Sequence, residues 1–387
     1  MKNLLSCAIA LFAGTATAWL PAADKIRGVN LGGLFVSEPW MMNDEWNAMG
    51  CGGTNSEFDC VMKLGQAQAD INFQKHYDTF FTQADMQRIK SLGLNTVRIP
   101  VGYWMREDIV WRDSEHFPTG GFQYLKRVCQ WAKDAGIYVI IDLHGAPGAQ
   151  VASQPFTGQF APSAGFYVSW QYERAYQFLE WMAKIIHTDS AFWSVGALEV
   201  VNEPIGGVSS LVNDFYPNAW KRIRTAEAAL GTTQANLLHI QMMNEKWGSG
   251  NPNQALTDLW FAFYDDHKYV KWTPGVASTR DAYMRYSCND DRGGNWPVVV
   301  GEWSLSTADE NNSEFDINRS DAKAWYRKWW SAQTYAYEKQ NGWIYWSWKV
   351  QNIGGRMDWR WGYSNAVDAG VIPTNAVGDA GACNGFI

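Results

Sequence analysis

The segment Leu198-Glu199-Val200-Val201-Asn202-Glu203-Pro204 decides the fold of this chain. Its apolar residues predict a short buried strand, and the strand cannot continue past Asn-Glu because proline has no N–H to give to a neighbouring strand. The segment Val298-Val299-Val300-Gly301-Glu302-Trp303 repeats this arrangement further along the chain. A carboxylate at the C-terminal mouth of a buried strand is where an α/β barrel places its chemistry. Two such glutamates are what hydrolysis of a glycosidic bond requires, although either one alone is equally well explained as a solvated loop carboxylate.

Apolar runs predict eight buried strands, and mostly helical stretches separate them. The runs cover residues 26–33, 94–100, 137–144, 197–202, 237–243, 260–264, 298–301 and 343–348. This alternation predicts an α/β fold, a single (β/α)8 TIM barrel with extended loops at its C-terminal face. The alternative, a doubly wound open sheet, lacks a Gly-rich phosphate turn after any strand. We therefore expect one catalytic domain over residues 19–387.

Helices are predicted from end signals and from apolar spacing. Thr82 and Asp85 have the spacing of a capping box, and Gly136 predicts the end of a helix over 122–135. Before the first of these helices, a long loop is predicted up to about Gln83. Two more helices are predicted by apolar faces, which are Phe178, Trp181, Met182, Ile185 and Ile186 in one and Trp325, Trp329, Ala332 and Ala336 in the other.

The composition restricts the class of partner. The net charge of the 387 residues is −7 and no basic run occurs, which argues against nucleic acid and against anionic membranes. The chain contains 23 Trp, and 15% of its residues are aromatic. Aromatic faces stack on the apolar faces of sugar rings, so a neutral polysaccharide is the expected partner, although many of these rings must simply fill the core.

The first 18 residues have the features of a secretory signal: Lys2, an apolar stretch over 4–13, and Ala16-Thr17-Ala18 as the cleavage site. The apolar stretch is too short to span a bilayer. We therefore expect a secreted, extracellular protein, without a membrane partner and as a monomer. Asn311 and Asn318 begin two glycosylation sequons.

Five cysteines remain after such cleavage, and an odd number implies a free thiol or an intermolecular bridge. Cys51 and Cys60 flank a loop rich in Gly, Asn and Ser, and we predict that they pair. Cys129 lies in a helical pattern and is predicted to be a buried thiol. Cys288 and Cys383 then form the second predicted disulfide.

Polar and aromatic side chains follow six of the eight predicted strands. They are Arg98, Asp142, His144, Asn202, Glu203, Asp265, Asp266, His267, Tyr269, Glu302, Trp346 and Trp348. Individually, Arg98 could pair with a structural carboxylate and His144 could be a core histidine. Together they predict a site at the C-terminal face of the barrel.

Other chemistries fit less well. His144, His239 and His267 could in principle bind zinc with nearby acids, but no H-x-H or H-E-x-x-H spacing occurs. A Ser-His-Asp triad lacks a G-x-S-x-G elbow. We therefore expect neither a metal nor a cofactor.

An ordered set of motifs resembles family 5 of the glycoside hydrolases, and within it the secreted fungal β-glucanases. The motifs span roughly residues 25 to 350 and are Gly28-Val29-Asn30-Leu31-Gly32-Gly33, Leu94-Asn95-Thr96-Val97-Arg98-Ile99-Pro100, Asp142-Leu143-His144-Gly145-Ala146-Pro147-Gly148, Asn202-Glu203-Pro204, Asp266-His267-Lys268-Tyr269, Gly301-Glu302-Trp303 and Trp346-Ser347-Trp348-Lys349.

The resemblance implies a retaining mechanism with Glu203 as acid/base and Glu302 as nucleophile, their carboxyl groups about 5–5.5 Å apart. It also implies a role for each of six substrate-binding residues. Arg98 holds the nucleophile, His144 is the loop histidine, Asn202 binds the sugar 2-hydroxyl, His267 and Tyr269 form the His-x-Tyr pair, and Trp346 is the floor of the −1 subsite.

The linkage is predicted from the loops. Fungal exo-β-1,3-glucanases usually carry Trp where this chain has Leu34, and the loops at 37–41, 114–118 and 149–159 look more like those of endo-β-1,6-glucanases. We therefore predict an endo-β-1,6-glucanase with an open cleft. The alternatives are an exo-β-1,3-glucanase and a catalytically inactive glucan-binding barrel. The predicted cleft walls are Phe35, Trp40, Trp46, Phe156, Phe160, Phe166 and Tyr167.

Overall fold

The computed structural model describes residues 25–309, 311–351 and 359–387. Eight parallel strands form a closed barrel in which β8 pairs with β1, so the predicted (β/α)8 fold is confirmed. The strands are β1 (Ile26–Asn30), β2 (Thr96–Gly102), β3 (Tyr138–Gly145), β4 (Val195–Glu199), β5 (His239–Met243), β6 (Ala262–His267), β7 (Val298–Glu302) and β8 (Gly342–Tyr345).

Ten α-helices lie in the described part of the chain, mostly around the outside of the barrel. They are α1 (Asn43–Ala48), α2 (Glu57–Leu64), α3 (Gln66–Thr79), α4 (Gln83–Ser91), α5 (Phe122–Ala135), α6 (Ser169–Thr188), α7 (Tyr216–Ala229), α8 (Arg280–Asn289), α9 (Ala322–Tyr337) and α10 (Tyr363–Ala369). The connection from β5 to β6 has short 3-10 turns, Glu245–Trp247 and Pro252–Gln254, in place of an α-helix.

The end signals of two helices are confirmed. Thr82 and Asp85 form a reciprocal capping box at the start of α4. Gly136 takes a left-handed conformation, φ 65°, directly after α5. Both termini therefore satisfy backbone groups that the helix itself leaves without partners.

The long loop predicted before Gln83 is wrong, because the segment folds into α1, α2 and α3. In α3 the buried residues Ala69, Phe73, His76 and Tyr77 lie on one face. The rest of α3 is mostly polar, with several Gln, Asn and Asp residues. The spacing of its few apolar residues is therefore difficult to recognise as helical from the sequence. The helix is stabilised by packing on the barrel, since tertiary contact supplies most helix stability.

The core divides along the barrel axis. Its N-terminal half is filled by apolar side chains from alternating strand positions: Ile26, Tyr138, Ile140, Ala197, Phe263, Val299 and Ile344. Towards the C-terminal mouth the interior becomes polar, with Arg98, Glu199 and Asp265 fully buried. Buried charges persist only when they are paired and hydrogen-bonded, so this half of the barrel is organised by ion pairs.

Both predicted disulfides are present, Cys51–Cys60 and Cys288–Cys383, and Cys129 is a buried free thiol. The signal predicted for residues 1–18 lies outside the described residues. Among the described helices, none combines the length and apolar character needed to cross a membrane.

Candidate active site

The two predicted catalytic glutamates meet at the C-terminal mouth of the barrel. Glu302 is the last residue of β7, and Glu203 lies in the turn beyond β4. Glu203 has a φ of +41°, a conformation that non-glycine residues adopt at a cost and that is concentrated at functional sites. A carboxylate oxygen of Glu203 lies within 4.8 Å of one of Glu302.

Glu302 is held by two donors. Arg98 Nη1 donates to its Oε1 at 3.0 Å, and the Tyr269 hydroxyl donates to its Oε2 at 2.8 Å. Burial raises the pKa of Glu302 above its ordinary value, although the positive charges of His267 and Arg98 oppose that rise. Arg98 therefore favours the ionised form of Glu302 but does not outweigh burial.

Arg98 is the centre of the buried network. It pairs with structural carboxylates and it also contacts Glu302, so both roles considered for it from the sequence apply. Besides Glu302, its guanidinium donates to Glu199 Oε2 at 2.8 Å and to Asn202 Oδ1 at 2.9 Å, and it pairs with Asp142 at 3.0 Å. Burial alone would lower the pKa of Arg98, but the surrounding carboxylates raise it well above its ordinary value. The same side chain thus orients site residues and neutralises structural acids.

His267 lies between three carboxylates. Its Nδ1 is 2.7 Å from Glu203 Oε1 and 3.5 Å from Glu302 Oε2, and its Nε2 is 3.5 Å from Asp265 Oδ2. Burial alone would lower the pKa of His267, but Glu302 and Asp265 raise it well above its ordinary value. The ring is therefore an imidazolium that donates its Nδ1–H to Glu203.

Asn202 offers a buried donor to the cleft. Its Oδ1 is occupied by Arg98, whereas its Nδ2 has no hydrogen-bond partner among the described residues. An unpaired buried amide is costly, so this group is suited to a substrate hydroxyl. The orientation of the amide is fixed by the guanidinium.

Trp346, the predicted floor of the −1 subsite, lines the cleft, and His144 stacks parallel to it at 5.5 Å between ring centroids. His144 Nδ1 is 2.6 Å from Asp142 Oδ2, which fixes the imidazole. A Cβ on Gly32 would lie 2.9 Å from the Trp346 ring. A glycine at this position is thus required for the indole to lie flat against the backbone.

These groups open into one cleft of about 800 Å³. It is lined by six of the eight predicted site residues, His144, Asn202, Glu203, Tyr269, Glu302 and Trp346. The other two, Arg98 and His267, lie directly beneath and contact the glutamates. Geometry thus brings all eight predicted residues together.

A family model described as "Cellulase (glycosyl hydrolase family 5)" matches residues 62–352. The chain belongs to glycosyl hydrolase family 5. It is therefore a glycoside hydrolase.

Relatives and solved structures agree with this assignment. Over 358 residues the chain is 58% identical to "Glucan endo-1,6-beta-glucosidase B" of Emericella nidulans, covering 92% of this chain and 87% of that protein. "Glucan 1,3-beta-glucosidase 2" of Wickerhamomyces anomalus is 28% identical, covering 92% and 89%. The crystal structure of rutinosidase from Aspergillus niger superposes with a TM-score of 0.70 at 21% identity, covering 90% of this chain and 98% of that one, which supports the fold.

Other cleft residues of this family 5 enzyme were not predicted as site residues. Glu38 is a third carboxyl in the cleft; it is buried and accepts a hydrogen bond from Trp40 Nε1 at 2.8 Å. Burial raises the pKa of Glu38 to about 7. The sequence did contain a signal for Glu38. It follows Gly32-Gly33 beyond the C-terminal end of β1, and the C-terminal ends of barrel strands carry the site.

The aromatic walls differ from the prediction. Trp40 and Phe156 line the cleft, together with Trp247, Trp272 and Trp361 from the loops after β5, β6 and β8. The other predicted wall residues do not line the cleft: Phe35, Trp46 and Phe166 are buried in the core, Tyr167 packs against the core, and Phe160 is exposed. Loop aromatics in sequence do not reveal which side of the loop faces the barrel.

A metal centre does not suit these residues. Donor atoms of Glu203, His267 and Glu302 lie within 4.8 Å of one another. However, Glu302 Oε1 already accepts from Arg98 at 3.0 Å, and Glu203 Oε1 lies 2.7 Å from His267 Nδ1. A metal ion would have to displace a proton from His267, and the positive charge of Arg98 would repel it.

Proposed function

We propose that the chain is a secreted, retaining endo-β-1,6-glucanase that hydrolyses β-1,6-glucan with Glu203 and Glu302. The observation that carries the linkage is the high identity to a protein named as an endo-1,6-glucosidase over most of both chains. The protein named as a 1,3-glucosidase is far less similar.

The separation of the glutamates supports retention. In retaining enzymes the two carboxyl groups are about 5–5.5 Å apart, whereas inverting enzymes leave about 6.5–9.5 Å for a water molecule. Oxygens of Glu203 and Glu302 lie within 4.8 Å of each other, which favours the shorter, retaining arrangement.

In the first half-reaction, Glu302 attacks C1 of the sugar that lies on Trp346. Glu203 gives its proton to the glycosidic oxygen, the C1–O bond breaks, and a covalent glycosyl-enzyme forms. Arg98 and the Tyr269 hydroxyl hold the attacking carboxylate, and Asn202 Nδ2 is placed to donate to the sugar 2-hydroxyl.

In the second half-reaction, Glu203 removes a proton from water, which attacks C1 and releases Glu302. Formation of the ester removes the negative charge of Glu302. Because like charges disfavour each other's ionised form, Glu203 is more readily a carboxylate at this stage. The same residue can therefore serve as acid and then as base.

The cleft walls support a 1,6-linked substrate. A 1,6-link adds a rotatable bond, so successive glucose rings need not share a plane. The aromatic walls are correspondingly set at angles, 69° between Trp40 and Trp361 and 63° between Tyr269 and Trp272. Flat parallel platforms would suit a linear ribbon better.

Secretion is supported by the two disulfides, which persist in oxidising compartments. The sequon residues Asn311 and Asn318 are exposed and accessible to a glycan. We propose that the mature enzyme is a monomer of one catalytic domain, residues 19–387, after removal of residues 1–18.

The test is turnover of purified β-1,6-glucan (pustulan) against linear β-1,3-glucan (laminarin), with Glu302→Gln as control. We expect rapid release of mixed oligosaccharides from pustulan and little action on laminarin. Faster degradation of laminarin, with glucose as the sole early product, would support the exo-β-1,3 alternative. No turnover of either polymer, with glucan binding retained, would support the inactive barrel.

A further inference from the structure

Two buried acids lie beneath the cleft and take no part in the double displacement by Glu203 and Glu302. Glu199 ends β4 and Asp265 lies in β6, and both are fully buried. Arg98 Nε is 2.8 Å from Glu199 Oε2 and 3.4 Å from Asp265 Oδ2. Asp265 also faces His267 Nε2 at 3.5 Å. Asp265, His267 and Glu203 therefore form a continuous chain from the barrel interior to the acid/base.

The backbone leaves space for Asp265. A Cβ on Gly301 would lie 2.0 Å from Asp265 Oδ1, so any side chain there would displace the carboxylate. Gly301 directly precedes Glu302, and the carboxylate occupies the volume that a larger residue at 301 would fill. The position behind the nucleophile is thus kept open for an acid.

The charges in this layer do not balance if every group is ionised. Asp142, Glu199, Asp265 and Glu302 surround two cations, Arg98 and His267. Burial, reinforced by Asp142 and Asp265 and opposed by Arg98, raises the pKa of Glu199 well above its ordinary value. This shift favours the protonated form of Glu199, whose Oε2 accepts a hydrogen bond from Arg98 Nε at 2.8 Å.

Asp265 shows the opposite behaviour. Burial alone would raise the pKa of Asp265, but the positive charges of His267 and Arg98 lower it. The ionised form is therefore favoured at Asp265. The charge lies on the residue that faces the imidazole.

We propose that Asp265 is a positioning residue for the acid/base: its carboxylate faces His267 Nε2 and holds the ring as an imidazolium whose Nδ1–H points at Glu203. The inference rests on the proposed role of Glu203 as the acid. When Glu203 gives its proton to the glycosidic oxygen it becomes a carboxylate, and the imidazolium 2.7 Å away stabilises the new charge. Without Asp265, burial would favour a neutral imidazole, and this stabilisation would be lost.

The first experiment compares kcat/KM of Asp265→Asn on two substrates. Cleavage of β-1,6-glucan needs an acid, whereas a 2,4-dinitrophenyl β-gentiobioside has a leaving group that does not. We expect a fall of about 10- to 100-fold on glucan, the effect of losing a hydrogen bond to a charged group. On the dinitrophenyl substrate we expect a change of about 3-fold or less.

Asp266→Asn is the matched control. Asp266 is the next residue in β6 and is also buried, but it pairs with Arg292 at 2.7 Å instead of facing His267. We expect it to affect stability and to change both substrates by the same factor. If Asp265→Asn also lowers both substrates equally, Asp265 has only a structural role and the proposal is overturned.

A second measurement needs no variant of Asp265. Nitrogen-15 NMR of the wild-type imidazoles, with His267 assigned by its loss in His267→Gln, reports protonation directly. We expect both ring nitrogens of His267 to carry protons at pH 7, and a neutral ring at that pH would overturn the proposal. Glu203→Gln distinguishes failure of the proposed function from failure of this inference. If its activity does not depend on the leaving group, Glu203 is not the acid. If its activity does depend on the leaving group and that of Asp265→Asn does not, only the positioning role of Asp265 is wrong.

Discussion

The Tyr269 hydroxyl donates to Glu302 Oε2 at 2.8 Å, while Arg98 binds the other oxygen of the same carboxylate. The nucleophile is thus fixed from two sides before any substrate arrives. Preorganised contacts of this kind need no rearrangement during the reaction.

Tyr269→Phe keeps the ring in the cleft wall and removes only the donor. Loss of a hydrogen bond to a charged group costs about 2 kcal/mol, so we expect kcat/KM on β-1,6-glucan to fall about 30-fold. Tyr283→Phe is the control, since that hydroxyl accepts from Ala308 N away from the cleft. Equal effects of the two substitutions would contradict a role of Tyr269 in holding Glu302.

Glu302→Gln should abolish turnover while the fold and glucan binding are nearly unchanged, because the amide keeps the shape of the site and cannot form the glycosyl ester. Loss of a covalent catalyst should cost several orders of magnitude in kcat. Residual activity above about one per cent would show that the nucleophile is another residue. Glu180→Gln, which alters a surface ion pair with Lys184, should leave kcat unchanged.

Glu203→Gln should lose activity on glucan and recover part of it on substrates with activated leaving groups. Such substrates need no acid in the first step, so the deficit moves to hydrolysis of the glycosyl-enzyme. A pre-steady-state burst of dinitrophenolate is the measurement. Absence of any difference between the two classes of substrate would argue against an acid role.

The pH profile of kcat/KM should show an acid limb above pH 4.5, the ordinary pKa of a glutamate. Glu302 must be ionised to attack, and burial raises its pKa, so protonation inactivates it at a higher pH than usual. The charged or titratable groups that face Glu302 are Arg98, His144, Glu203, Glu38, His267 and Tyr269. Glu38→Gln should keep this limb; if the limb disappears in that variant, it belongs to Glu38.

The two disulfides should differ in their contribution to stability. In the loop-entropy treatment, the Cys288–Cys383 bridge, with a separation of 95 residues, contributes about 4.5 kcal/mol, and Cys51–Cys60, with a separation of 9, about 2.5 kcal/mol. Urea unfolding of the two double-serine variants measures this. The reverse order of free energies of unfolding would show that strain or residual structure dominates over loop length.

The barrel, and the convergence of the eight proposed site residues at its mouth, could be predicted because both depend on local patterns. Short apolar runs ending in polar residues identify strands, and the C-terminal ends of parallel barrel strands converge on one face. Gly136 and the Thr82–Asp85 pair likewise act within one turn of chain.

What could not be predicted depends on distant partners. Strand β6 was predicted to end at 264 but continues through His267, because the acids that resemble a loop are neutralised by Arg98 and Arg292. Similarly, the raised pKa of Glu302 reflects burial, which the sequence does not state. Trp247, Trp272 and Trp361 face the cleft only because of how their loops fold.

The most direct test of the double displacement on β-1,6-glucan is proton NMR of the anomeric signals during the first minutes of hydrolysis, with wild-type enzyme and a short β-1,6-linked oligosaccharide. The close approach of Glu203 and Glu302 predicts that the new reducing ends appear first as the β-anomer and only later equilibrate to α. Initial appearance of the α-anomer would contradict the mechanism, and absence of cleavage at 1,6-bonds would contradict the proposed substrate.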